Sequence, residues 1–143
     1  MSPYAEVEHT ADWALHVWAP TIEELFVDAA RGMYHLAGAE PRLAGTLPTG
    51  SAPEDGRRVV NVTGPDYEAL LVVWLQELLY YTESEGWVFD DYHIEQLTST
   101  QLRAEVAGRP GQLLNRVIKA VTYHNLAIRP AEAGYETTIV FDV

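Results

Sequence analysis

The sequence predicts an α+β fold: a single domain with a mainly antiparallel sheet and two principal helices. Two segments space their apolar residues as helices do, and several others alternate apolar and polar residues as strands do. Helices and strands do not alternate regularly, as they would in a parallel βαβ fold. The 143 residues, 48% of them hydrophobic, suffice for one core and show no internal repeat. Residues 1–143 are therefore predicted to form one domain.

The first predicted strand covers residues 13–18, where successive side chains alternate between two faces. The first predicted helix covers residues 22–37. Thr21 and Glu24 form a capping box before this helix, apolar residues recur at helical spacing within it, and Gly38 ends it.

Residues 38–57 contain four of the ten glycines and three of the eight prolines, which predicts a long surface loop, with a short strand near residues 42–47 as an alternative. A valine-rich strand follows at residues 58–63. The second helix is predicted from its N-cap Asp66 to about Ser84. Its apolar residues cover more than one stripe, so we expect it to be the central, mostly buried helix of the fold.

Strand-like patterns occupy the chain after Gly86, separated by glycine, proline and acidic residues. The pair Asp90 and Asp91 is interpreted as an acidic turn between two of these strands, with cation binding as the alternative. The predicted strands cover residues 87–89, 92–98, 101–107, 116–128 and 135–143.

Composition and charge exclude several classes of function. The absence of cysteine rules out disulfides, thiolate zinc sites and cysteine nucleophiles, and gives no reason to expect an oxidising compartment. We find no signal peptide or membrane span, so a cytoplasmic protein without a membrane partner is predicted. The net charge of −12 argues against direct, non-specific nucleic-acid binding and favours cations and basic protein surfaces as partners.

Two polar segments contain candidate functional residues. His9 and Asp12 begin the first strand, on opposite faces unless the backbone turns there; alternatively, Asp12 simply begins a turn. Lys119 and His124 lie in the unusually polar segment 116–128. The alternatives for these two residues are a solvated lysine and a half-buried, hydrogen-bonded histidine.

The end of the sequence suggests a cation site. The last strand keeps its alternation to the final residue, which places the α-carboxylate of Val143 beside Asp142. Calcium and magnesium prefer oxygen ligands of this kind. The alternative is a strand end with no ligand. Common phosphate-binding, metalloprotease and serine-hydrolase motifs do not occur.

Together, these segments resemble the archease family over nearly the whole chain. The resemblance rests on five segments in the family's order: His-Thr-Ala-Asp at residues 9–12, the two helical segments 21–33 and 70–80, Lys-Ala-Val-Thr-Tyr-His at 119–124, and Phe-Asp-Val at 141–143.

The resemblance implies an accessory protein that activates the GTP-dependent RNA ligase of tRNA splicing and RNA repair. Such a protein promotes guanylylation of the ligase and is not itself an enzyme. By position, Asp12, Asp142 and Val143 would hold a divalent cation, calcium or magnesium, with manganese as a further option. His9, Lys119 and His124 would belong to a ligase-activation surface. Two alternatives stay open: a metal-dependent hydrolase and a chaperone for an RNA-modifying methyltransferase.

Overall fold

A computed structural model describes residues 4–8, 12–41, 56–113, 118–123 and 126–143, and only the backbone of residues 5–8, 12, 40 and 41. Within these ranges the chain forms two helices, α1 and α2, and nine strands, β1 to β9. In chain order they are β1 Tyr4–Glu8, β2 Asp12–Ala19, α1 Ile22–Ala37, β3 Ala39–Pro41, β4 Arg57–Thr63, α2 Tyr67–Glu85, β5 Trp87–Leu97, β6 Gln101–Leu113, β7 Ala120–Thr122, β8 Arg129–Ala131 and β9 Gly134–Asp142.

Both helices begin and end close to the predicted residues. The Thr21 hydroxyl accepts a hydrogen bond from the backbone N–H of Glu24 at 3.1 Å, as an N-cap does. The Asp66 carboxylate caps α2 in the same way, accepting from Ala69 N at 2.8 Å. Gly38 ends α1 with a φ of 71°, in the left-handed region that glycine adopts without strain.

The described strands form two antiparallel sheets. One contains five strands in the order β1-β2-β9-β7, with β8 also pairing with β9. The other has β6 at its centre, paired antiparallel with β3, β4 and β5. This arrangement confirms the predicted α+β class with a mainly antiparallel sheet and two principal helices.

Both helices contact both sheets, so one core fills the space between them. Trp74 of α2 is fully buried, and its indole N–H donates to the carbonyl of Phe26 in α1 at 3.0 Å. The second helix is packed into the core as predicted, but it is no more central than α1, since nine residues of each helix are buried. Neither described helix is long and apolar enough to cross a membrane. The other largest fully buried side chains are Phe26, Phe141, Leu15, Leu25, Met33, Leu70, Leu71, Leu75, Leu78, Leu102 and Ile118.

The single long strand predicted at residues 116–128 is wrong for the residues that the structure describes. Only Ala120–Thr122 pair with β9. After them, Leu126 N donates to the carbonyl of Tyr123 at 3.0 Å, as in a turn. Ile128 N then donates to the carboxylate of Glu68 at 3.0 Å. Outside the sheet, the backbone N–H groups of Leu126 and Ile128 are thus satisfied by a turn and by a side chain of α2.

The acidic turn predicted at Asp90 and Asp91 is also wrong. Both residues lie inside β5, at a register shift between Phe89 and Asp91 that acts as a β-bulge. The Asp90 carboxylate accepts a hydrogen bond from Arg109 on β6 at 2.8 Å. The bulge accommodates both aspartates within the sheet, so β5 is one continuous strand where two strands were predicted.

The predicted loop at residues 38–57 is too long at both ends, because β3 and the first residue of β4 lie within it. The alternative strand near residues 42–47 lies outside the described residues. The strands β1 and β8 were not predicted from the sequence at all.

Candidate metal centre

Asp12 and Asp142 occupy directly opposite positions in the antiparallel pair β2–β9. The next pair in the register is Trp13 with Phe141. In an antiparallel pair, opposite positions belong to the same face of the sheet. The fold therefore brings two acidic positions from the two ends of the sequence to one place.

The burial pattern of β9 shows on which face of the sheet Asp142 lies. Thr137, Ile139 and Phe141 are buried, whereas Asp142 is exposed. Phe141 thus contributes to the core, and the aspartate pair belongs to the outer face of the five-stranded sheet. Val143, which follows, is half-buried and packs against the core. This packing fixes the last residue on the inner side of the same strand end.

A third strand fixes the backbone on the other side of Asp142. Ala120 of β7 is its register partner there, and Lys119 N donates to the carbonyl of Asp142 at 2.8 Å. Asp142 is therefore held between two strands and cannot fray freely, as a chain end otherwise does. Lys119 is exposed and lies next to this position.

The side chains of three predicted site residues are not described. His9 and His124 lie outside the described residues, and only the backbone of Asp12 is described. Among the side chains that the structure does describe, no three histidines, aspartates or glutamates form a group that could hold a metal ion.

The donor chemistry at this strand end fits a hard divalent cation. Like charges at directly opposite positions of an antiparallel pair are in general destabilising. A calcium or magnesium ion, which takes carboxylate oxygens as ligands, would remove that repulsion. The register of β2 and β9 thus places two acidic positions opposite each other.

Sequence reasoning did not identify the contacts that shape the segment after β7. Glu68, near the start of α2, holds Ile128, and Thr137 of β9 donates to the carbonyl of Ala127 at 2.9 Å. These contacts hold the segment that follows Tyr123, a residue that is 57% exposed. No local pattern signals them, because each joins residues that are distant in the sequence.

The structure is that of a small α+β protein in which the early strand β2 and the last strand β9 join in one sheet. Comparison with known proteins identifies its class. The model of the archease protein family matches residues 4–143. A protein archease of Methanopyrus kandleri is 30% identical over 148 residues, which cover 99% of each chain. The corresponding protein of Saccharolobus islandicus is 34% identical over 149 residues and covers both chains fully.

Solved structures show the same fold. The solution structure of protein 1598 from Methanobacterium thermoautotrophicum aligns over 100% of both chains with a TM-score of 0.70 and 23% identity. A crystal structure of an archease from Thermotoga maritima, described as a "possible chaperone", has a TM-score of 0.64 and 20% identity, covering 96% of this chain and 94% of that one. The chain belongs to the archease family.

Proposed function

We propose that this protein is a non-catalytic activator of a GTP-dependent RNA ligase that serves tRNA splicing and RNA repair. It promotes guanylylation of the ligase and does so through a divalent-cation site at the end of β9. Membership of the archease family across residues 4–143 is the observation that carries the proposal. The opposition of Asp12 and Asp142 supports its metal-dependent form.

In this proposal Asp12, Asp142 and the α-carboxylate of Val143 hold the cation. When bound, the cation supplies positive charge that can orient and neutralise phosphate oxygens near the ligase's active site. The chain itself contributes rigidity, because β2 and β7 pair with β9 on its two sides and fix the backbone at Asp142. Lys119, with His9 and His124, forms the surface that faces the ligase.

The charge of the chain agrees with an accessory role. At −12 it would repel an RNA backbone, whereas it would be attracted to the basic surface of an enzyme that binds RNA. The RNA is thus left to the ligase. Because the ligase binds the RNA and this protein only activates the ligase, we expect that the protein alone neither joins RNA ends nor hydrolyses GTP.

Calcium or magnesium is expected to raise the melting temperature, since an ion that binds only the folded state stabilises it by about 2.7 kcal/mol at a hundred times its dissociation constant. Asp142→Asn and Asp12→Asn should each remove most of this increase. Differential scanning fluorimetry with and without the metal measures the effect. A C-terminal extension, which converts the α-carboxylate of Val143 into an amide, should also weaken it.

Asp91→Asn is the matched control for this experiment, because it removes one exposed carboxylate from the other sheet. It should retain the full increase. An equal metal-induced increase in the wild type, Asp12→Asn and Asp142→Asn would contradict the assignment of the ligands.

The rate of ligase guanylylation tests the function itself. Single-turnover guanylylation is measured with the ligase alone, with wild-type protein and with Asp12→Ala, Asp142→Ala and His124→Ala. We expect each aspartate variant to slow the reaction roughly 10- to 100-fold relative to wild type, a loss typical of perturbed metal sites. Complex formation, measured in parallel by calorimetry, should change far less, because the metal acts on positioning rather than on docking.

Two other outcomes of this experiment would contradict the proposal. If folded aspartate variants activate as well as the wild type, the metal-centred mechanism is wrong. If the wild type does not change the guanylylation rate, the activator proposal fails. The "possible chaperone" description of the Thermotoga relative would then favour a chaperone role, which a client pull-down can identify.

A further inference from the structure

A second surface feature lies where β2 ends and β9 begins, at the opposite end of these strands from the aspartate pair. It is a cleft of about 780 Å³ between the last residues of β2, the β8–β9 turn and the first half of α1. That volume falls within the range of sites that bind drug-sized molecules or short peptide segments.

The base of the cleft is built tightly. Gly134, at the β8–β9 turn, has a φ of 144°, which L side chains rarely adopt. A Cβ atom at this position would lie 2.2 Å from the carbonyl oxygen of Ala19 and 2.5 Å from the Cα of Pro20. The turn therefore packs directly on the backbone at the end of β2, and this contact fixes the two walls relative to each other.

Aromatic rings form one part of the lining. Trp18 and Tyr135 are both half-buried, so part of each side chain is open to solvent. Their register places them on opposite faces of the sheet, so the cleft wraps around the end of β2 and β9. The ring of His16 lies 5.2 Å from that of Trp18, centroid to centroid, at an interplanar angle of 37°. Half-exposed indole and phenol rings at the mouth of a cleft offer flat faces on which a cationic or planar group can stack.

Carboxylates form the rest of the polar lining. Glu136 is the cross-strand partner of Trp18, so it belongs to the same face of the sheet. Glu24, Asp28 and Glu132 also line the cleft, and none of its described lining residues is a lysine or arginine. Two of these carboxylates have partners: Glu136 lies 3.4 Å from His16, and Asp28 lies 3.5 Å from Arg31 on the same helix.

Asp28 is the most shielded carboxylate for which the structure gives an exposure, at 15%. Burial raises its pKa above the usual value, and the neighbouring carboxylate of Glu24 adds to this effect, while Arg31 opposes it. Burial removes water from the Asp28 carboxylate, and a cationic group entering the cleft would compensate part of that lost hydration. The cleft thus combines carboxylates that a cation would stabilise with aromatic rings that attract a cation.

We propose that this cleft binds a basic, arginine-containing segment of a partner protein. The guanidinium group suits the lining because it stacks on aromatic rings and donates in a planar fork to carboxylates. The strongly acidic chain would also attract such a segment over a distance. The proposal depends neither on the cation site nor on the identity of the partner enzyme.

Titration with a blocked peptide of alternating glycine and arginine tests the proposal. The control peptide carries citrulline, which has nearly the shape of arginine without its charge. Trp13, Trp74 and Trp87 are at most 8% exposed. A change in tryptophan fluorescence when the peptide binds therefore reports chiefly on Trp18, which is half-buried. We expect the arginine peptide to change this fluorescence and the citrulline peptide to leave it nearly unchanged.

Variants locate the binding site, with affinities measured by calorimetry. Trp18→Ala should weaken binding of the arginine peptide about three- to tenfold, as the loss of a cation–π contact does. Glu136→Gln should weaken it about two- to fivefold while preserving the size of the side chain. Glu83→Gln removes the same charge from an exposed position on α2 and should leave the affinity unchanged.

Three results would overturn the proposal. These are equal binding of the arginine and citrulline peptides, wild-type affinity in folded Glu136→Gln, and an equal loss in Glu83→Gln and Glu136→Gln. The last would mean that only the overall negative charge attracts the peptide. If Trp18→Ala fails to fold, as judged by circular dichroism, Glu136→Gln still decides the matter.

Discussion

Replacing Trp74 by alanine is expected to lower the free energy of unfolding by about 3–5 kcal/mol, the range for removing a fully buried tryptophan. The side chain has no solvent exposure, and its ring packs edge-on against Tyr92 at a centroid distance of 6.1 Å. Its hydrogen bond to Phe26 also ties α2 to α1. The substitution would leave a cavity where both helices and a strand of the second sheet meet.

Urea denaturation followed by far-ultraviolet circular dichroism measures this loss without relying on tryptophan fluorescence. Glu83→Ala, at an exposed position of the same helix, should change the midpoint little. Trp74→Phe should fall between the two, since it retains a ring but loses the indole N–H. An unchanged midpoint in Trp74→Ala would show that the tryptophan does not support the core.

Gly108→Ala is expected to destabilise the protein by about 3 kcal/mol, in the upper part of the range for overpacked positions. A Cβ atom on Gly108 would lie 1.9 Å from the carbonyl oxygen of Val88 and 2.7 Å from the Cα of Phe89. Both atoms belong to the backbone of β5, which cannot rotate away as a flexible side chain can. The substitution would therefore push β5 and β6 apart beside the bulge that follows Phe89.

Gly64→Ala is the matched control, because the same added methyl group would meet its nearest neighbour, Leu70 N, at 3.2 Å. Its effect on the midpoint of urea denaturation should be much smaller than that of Gly108→Ala. Equal midpoints for Gly108→Ala and the wild type would contradict the close approach of the two strands.

The helices could be predicted because their signals are local. Thr21 and Asp66 cap the helices from within one turn, and Gly38 and Gly86 end them with left-handed backbone. A short stretch of sequence contains all of this information. Strand β9 was predicted for a similar reason, since its alternation persists over nine residues.

The errors arose where contacts between distant residues decide the structure. The segment around Ile128 has the composition of a strand, but Glu68 supplies the acceptor for its backbone N–H. At the bulge, the Asp90 carboxylate accepts a hydrogen bond from Arg109 of the neighbouring strand. Neither partner can be recognised from the local pattern of apolar and polar residues.

The candidate metal centre could be predicted only in part. Asp142 and Val143 stood out because the strand pattern continued to the last residue, but spacing alone did not relate Asp12 to them. Family resemblance supplied that relation, and the register places Asp12 opposite Asp142. The aromatic and acidic cleft was not predicted, because its walls come from α1, β2 and the β8–β9 turn.

The pairing of β2 with β9 also has a consequence for how the chain folds. These strands are separated by nearly the whole sequence, so a large loop must close before their hydrogen bonds form. Such non-local pairings slow folding, and during synthesis β2 has no partner on this edge until β9 has left the ribosome. Strand β1 can pair with β2 earlier, as the neighbouring segment of the chain. The five-stranded sheet is therefore completed only after translation of the last strand, and the outer-face aspartate pair forms at that moment.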